Sequence, residues 1–182
     1  MPDRTVIKKT LIPIAILWIV YALQAAEFIV TKNYMISTDT GIFSIFTGVM
    51  LHGDLMHLIG NTVPLLIALP VIARYYKEDF WDILILGTII PGAIMYTIGI
   101  NSVGISGLVF AAVWFIIGAG LGSADRTKFL LSIGFLLFYG YTIKGATELA
   151  GPGIGYQAHL AGLAVGAILG ITKTRIRNNS KK

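Results

Sequence analysis

Val103-Gly-Ile-Ser-Gly-Leu-Val-Phe110 opens an apolar run that continues to Gly122 without a charged residue. A serine between glycines at the head of such a run decides how the chain is read. From Ser106 to Gly122 a helix rises about 25 Å at about 1.5 Å per residue. The hydrocarbon core of a bilayer is about 30 Å thick. With Gly122 near one membrane face, Ser106 lies several Å below the other. Polar residues at that depth are costly and usually functional.

The whole chain supports a membrane reading. Its 182 residues are 55% hydrophobic and 13% charged, with a mean hydropathy of +0.79. Soluble domains run near ~25% charged and could not hide so much apolar surface. The expected fold is all-α and polytopic, with six transmembrane helices over 11–26, 56–73, 81–100, 104–122, 129 to 141 or 149, and 157–172. Residues 27–55 are too polar to span and too apolar for a free linker, so an interfacial, partly inserted loop is expected. Pro91 predicts a kink, tolerated because neighbouring helices re-satisfy the backbone. The first run follows Lys8 and Lys9. It is too long for a signal-peptide core, and Gln24-Ala25-Ala26 is a poor cleavage site, so a retained helix is expected. The chain reads as one membrane domain over 1–182, with its core at 11–172, a basic tail at 173–182 and no appended soluble domain. Cysteine is absent, which removes disulfides and thiolate metal sites.

The net charge of +5 is explained by where the charges fall. With a cytoplasmic N-terminus, six spans put twelve of the 14 basic residues inside, all but Lys32 and Lys144. The positive-inside rule thus predicts both termini cytoplasmic. The basic excess is a topology signal and an attraction to anionic lipid; nucleic acid is not an expected partner. Asn178-Asn-Ser180 then sits in the cytosol, where a glycosylation sequon has no meaning. The two halves do not mirror each other in their polar residues, which argues against an inverted-repeat transporter. A solute path would also need polar residues across the whole membrane.

Instead they gather near one face. His57 and Asn61 open the second span, Ser106 the fourth and His159 the sixth, all from the outer side. His57 and Asn61 are four apart and share a helix face. His52 lies in the loop leading in. His159, Gly162, Gly166 and Gly170 form one stripe whose small residues let two helices approach closely. Gly104 and Gly107 flank Ser106, and Phe110 stands one turn on. A serine becomes nucleophilic when a base takes its proton, and His159 suits that role. His57, Asn61 and the Ser106 N–H could stabilise an oxyanion, and Phe110 could stack on His159. Plainer readings exist. Ser106 alone could be a packing serine, and His159 an interhelical hydrogen-bonding residue. Three histidines could bind metal, but their spacing is not His-Glu-x-x-His and no acid lies in a spanning core. Asp54 reads as a solvated loop acid, and Lys144 with Glu148 as an i, i+4 ion pair.

His52-Gly-Asp-Leu-Met-His57-Leu-Ile-Gly-Asn61, Gly104-Ile-Ser106-Gly107 and Ala158-His159-Leu-Ala-Gly162-Leu-Ala-Val-Gly166 together resemble the rhomboid family of intramembrane serine proteases. The resemblance covers roughly 41–171, with the three motifs in the family's order. It implies a Ser106–His159 dyad without an acidic third member or cofactor. It implies an oxyanion site of His57, Asn61 and the Ser106 amide, with His52 supporting a water-filled cavity. The implied reaction is cleavage of other proteins' transmembrane segments near the outer face. The Gly-Pro-Gly-Ile-Gly segment at 151–155 corresponds to a mobile cap. Phe43 and Ser44 replace the family's frequent Trp-Arg pair, Ala73 a frequent acid, and Phe110 a frequent phenol. The alternative within the resemblance is an inactive relative that binds transmembrane helices.

Overall fold

The computed structural model describes residues 3–140 and 155–180. Their helices are α1 (Arg4–Ala25), α2 (Ser44–Thr47), α3 (Leu55–Tyr75), α4 (Phe80–Thr97), α5 (Ser106–Leu121), α6 (Arg126–Tyr139) and α7 (Tyr156–Asn179). Short 3-10 turns occupy Thr31–Asn33, Gly48–Met50 and Lys77–Asp79. Among the described residues the only strand-like pairing is an isolated bridge between Ile36 and Ser102. Arg4–Ala25, Leu55–Tyr75 and Lys77–Thr97 are long and apolar enough to cross a membrane, and α5 is a shorter apolar helix. The expected Lys144–Glu148 pair and residues 151–154 of the expected cap lie outside the described residues.

Aspartates start three of the long helices. Asp3 accepts from the Thr5 N–H at 2.9 Å, Asp54 from His57 at 2.8 Å, and Asp125 from Thr127 at 2.8 Å. Each satisfies an N–H that the first turn leaves unpaired. Asp54, expected as a solvated loop acid, is exposed and also caps α3. No side-chain cap closes the start of α5 or α7.

The bundle is built around α5, whose residues from Gly107 to Gly120 are mostly buried. It touches α3, α4, α6 and, most extensively, α7. The α5–α7 seam is set by small residues. A Cβ on Gly162 would collide with the Gly107 carbonyl, one on Gly166 with the Ala111 carbonyl, and one on Gly170 with the Phe115 carbonyl. Thr174 Oγ1 continues the row by donating to Ala119 O at 3.0 Å, a separation of 55 residues. The three glycine contacts share that offset, so the two helices run parallel and in register. Across a shared membrane, that direction puts their first residues on the same side.

α1 packs on α3 through Thr10, Ile14 and Leu17. Trp18 Nε1 ties the pair by donating to Thr62 Oγ1 at 3.1 Å. The opposite face of α1 exposes Ile12, Ile16 and Ile19, as a lipid-facing helix does.

Contacts sort the helix ends into two groups. At one end, Lys9 lies over the Phe80 ring, Lys128 over the Tyr76 ring, and Asn178 bonds Gly122 O. There Lys173 pairs with Asp82 at 2.6 Å, and Arg177 pairs with the buried Asp79. The basic segment from Lys173 therefore continues α7 to Asn179, where the sequence suggested a tail. Two cations four residues apart find two carboxylates on and beside the first turn of α4, and this holds the extension helical.

The loop between α1 and α3 packs against the opposite end. Gly48 O accepts from Gly104 N–H at 3.1 Å, and Gly48 itself lies against the Ile36 backbone. Ser44 is buried, and its Oγ accepts from Ser37 N–H and donates to Ser37 O, both at 3.3 Å. Its neighbour Phe43 is 79% exposed. The loop is thus fastened through Ser44, and the Phe43 ring is left outside. Ala73 is buried in the main apolar core.

Candidate active site

Ser106 is the first residue of α5 and is half-buried. Among the described residues, the N–H groups of Ser106 and Gly107 have no backbone acceptor. Such donors at a helix start favour negative charge. Phe110 stands one turn later on the same face. Helix side chains lean toward the N-terminus, so its ring covers the turn that Ser106 begins. His159 stacks on that ring, with centroids 4.6 Å apart and planes 12° from parallel. The seam below fixes this geometry, since Gly162, whose Cβ would collide with the Gly107 carbonyl, lets the two first turns touch. Ser106 and His159 are brought onto facing turns without a hydrogen bond between them, and His159 Nδ1 is buried without a partner among the described residues. Catalytic hydrogen bonds are often long before substrate binds.

The third wall is the first turn of α3. Gly104, with φ of +106°, carries the chain past His57. A Cβ on Gly104 would stand 2.7 Å from His57 Cε1, 2.8 Å from its Nε2, and 3.7 Å from Asn61 Nδ2. The two flanking glycines therefore have different tasks. Gly107 makes room for Pro91 of α4, whose Cβ would stand 2.6 Å from an added methyl, whereas Gly104 makes room for His57 and Asn61.

His52 is buried in the loop before α3 and acts on the site through Asn61. Asn61 Nδ2 donates to His52 Nε2 at 3.1 Å, and the His52 and His57 rings meet edge to face at 5.2 Å. Burial, and then the nearby His57, push the His52 pKa down to about 4. The neutral ring can accept that bond at physiological pH. One Asn61 N–H is thereby fixed, and the amide carries a second on the side facing Gly104. With His52 Nε2 occupied, His57 and His159 are two imidazoles, short of the three protein ligands of a catalytic zinc.

A residue without an assigned role in the sequence completes the arrangement. Gln24, at the end of α1, accepts from the His52 N–H at 3.1 Å and donates to His52 O at 3.2 Å and Thr31 Oγ1 at 3.0 Å. It holds both backbone groups of His52 from 28 residues away. A lone amide closing an apolar run was the available signal, but helix ends carry such residues for many reasons. Gln24→Ala leaves two part-buried backbone groups unpaired, at about 1–3 kcal/mol. The expected result is a lower midpoint of thermal unfolding in detergent. Gln24→Glu keeps the acceptor and is expected to fall between wild type and alanine.

The fold and this cluster define a class: a helical integral membrane protein whose polar residues converge where several helices begin. The family follows from the sequence match. The Rhomboid domain model aligns with residues 39–176, most of the chain, and the protein belongs to the Rhomboid family. It is 28% identical over 143 residues to the uncharacterized protein Rv1337 of Mycobacterium tuberculosis, covering 73% of this chain and 59% of that protein. The uncharacterized protein Mb1372 of Mycobacterium bovis matches to the same extent. Against the uncharacterized protein ML1171 of Mycobacterium leprae the identity is 27% over 144 residues, covering 74% of this chain and 57% of that protein. The chain thus spans less than two thirds of the length of these curated relatives.

Proposed function

We propose that the chain is an intramembrane serine endopeptidase that cleaves transmembrane segments of other membrane proteins near the outer face. The observation that carries this reading is the His159 ring stacked on Phe110 beside the start of α5, within a Rhomboid domain. In the reaction, His159 takes the Ser106 hydroxyl proton as Oγ attacks the scissile carbonyl carbon. The carbonyl oxygen becomes an oxyanion, stabilised by the Ser106 N–H, Asn61 and His57. His159 passes its proton to the leaving amine as the C–N bond breaks. Water then attacks the acyl-serine, giving its proton to His159, and Ser106 leaves with that proton restored. Phe110 sets the plane of the base, as an acidic third member does elsewhere. In this reading residues 1–182 form one membrane domain. Six spans place both termini in the cytoplasm, and the end holding Lys9, Lys128, Lys173 and Arg177 is the cytoplasmic one.

The missing Ser106–His159 hydrogen bond is the observation favouring a non-catalytic binder of transmembrane helices. One experiment separates the two readings: purified protein in detergent or liposomes is incubated with a panel of transmembrane reporters and with a serine-directed phosphonate. Cleavage is expected, with Ser106 labelled. Ser106→Ala is expected to lower the rate at least about 10³-fold. No cleavage and no labelling favours the binder, and equal cleavage by Ser106→Ala removes Ser106 as nucleophile.

A further inference from the structure

The face of α1 turned from α3 meets α4 across an open groove of about 570 Å³, within the range of small-molecule sites. Ile12, Pro13 and Ile16 form one wall, and Leu84, Ile85 and Ile89 the other. Met50 and Ile105 close the upper end, and Lys8 and Lys9 stand at the lower. Among the described residues neither lysine makes an ion pair. Lys9 Nζ lies 4.6 Å over the Phe80 ring and 5.8 Å from the Trp81 ring centroid. Those rings hold the ammonium at the mouth while its charge stays uncompensated.

Length narrows the choice of occupant. From Lys8 to Leu17, α1 rises about 14 Å. That is roughly half of the ~30 Å hydrocarbon core, the depth of one leaflet. A partner helix would run the full thickness, and the Met50–Ile105 closure would stop it before it crossed. A single acyl chain fits, apolar throughout and ending in a headgroup at the lysines. Basic pockets between transmembrane helices suit anionic headgroups. We propose that this groove binds one anionic phospholipid, with its phosphate at Lys8 and Lys9 and one acyl chain between α1 and α4. The chain's methyl end then rests against Ile105, the residue before Ser106.

The test is native mass spectrometry of the purified protein with phosphatidylglycerol and phosphatidylcholine of identical acyl chains. One phosphatidylglycerol per chain is expected to be retained in preference to phosphatidylcholine. The double variant Lys8→Gln/Lys9→Gln is expected to weaken phosphatidylglycerol on the order of tenfold and leave phosphatidylcholine unchanged. Equal retention of both lipids by wild type, or an undiminished preference in the double variant, overturns the site. Should the double variant not fold, wild type in liposomes decides. Phosphatidylglycerol with brominated chains is expected to quench tryptophan fluorescence more than brominated phosphatidylcholine at equal mole fraction, and Trp81→Phe to remove the difference. Equal quenching overturns the proposal.

Discussion

Gly166→Ala is expected to cost the protein much of its stability, whereas the same substitution at Gly134 is expected to stabilise it. Both residues lie inside helices, so propensity alone favours alanine at each by about 0.8–1.0 kcal/mol. Their surroundings differ. A Cβ on Gly134 meets nothing within 4 Å. One on Gly166 runs into the carbonyl of Ala111 and its backbone carbon, which cannot rotate away as a side chain can. Relief requires α7 to move off α5. The Gly162–Gly107, Gly170–Phe115 and Thr174–Ala119 contacts belong to one register, so a local shift disturbs all of them. Overpacking typically costs about 1–3 kcal/mol, and a backbone collision in a rigid seam belongs at or above the top of that range. Thermal unfolding in one fixed detergent, followed by circular dichroism, should show opposite shifts. Equal shifts would mean that the seam is not what holds the helices together.

That seam was legible in the sequence because four-residue spacing of small residues has a direct geometric meaning on a helix. The convergence of His57, Asn61, Ser106 and His159 was legible for a similar reason. Charge at the ends of the apolar runs predicts which way each run points, and direction predicts depth. What escaped were contacts whose partners lie far apart and carry no periodicity. Asp79 reads as one more charge after a span, yet it is buried against Arg177, 98 residues on. Asp82 meets Lys173 across 91 residues. Together they extend α7 beyond its apolar stretch, which hydropathy cannot foresee. Gln24 escaped because a side chain that bonds another residue's backbone needs no matching residue type at its target. Gly104 stood out beside Ser106, but its approach to the His57 ring did not. Small size and positive φ look alike in a sequence, and only the fold shows that one flanking glycine faces Pro91 of α4 and the other faces His57.

That division of labour predicts that Gly104→Ala impairs the site while leaving the bundle folded. Two costs arise together. An alanine at φ of +106° sits outside the allowed regions for L residues, a strain of about 1–3 kcal/mol. Its methyl group would also stand 2.7 Å from the His57 ring. The α5–α7 seam begins at Gly107 and is untouched, so cooperative unfolding is expected to persist at a reduced midpoint. Under the protease reading, a displaced His57 removes one oxyanion donor, and cleavage is expected to fall by about 10²–10³. The two costs separate in a double-mutant cycle. In a His57→Ala background the ring is gone, so Gly104→Ala should cost only the backbone strain and lose little further activity. Strict additivity of the two substitutions would show that Gly104 does not act through His57, and that its left-handed backbone serves the turn into α5 alone.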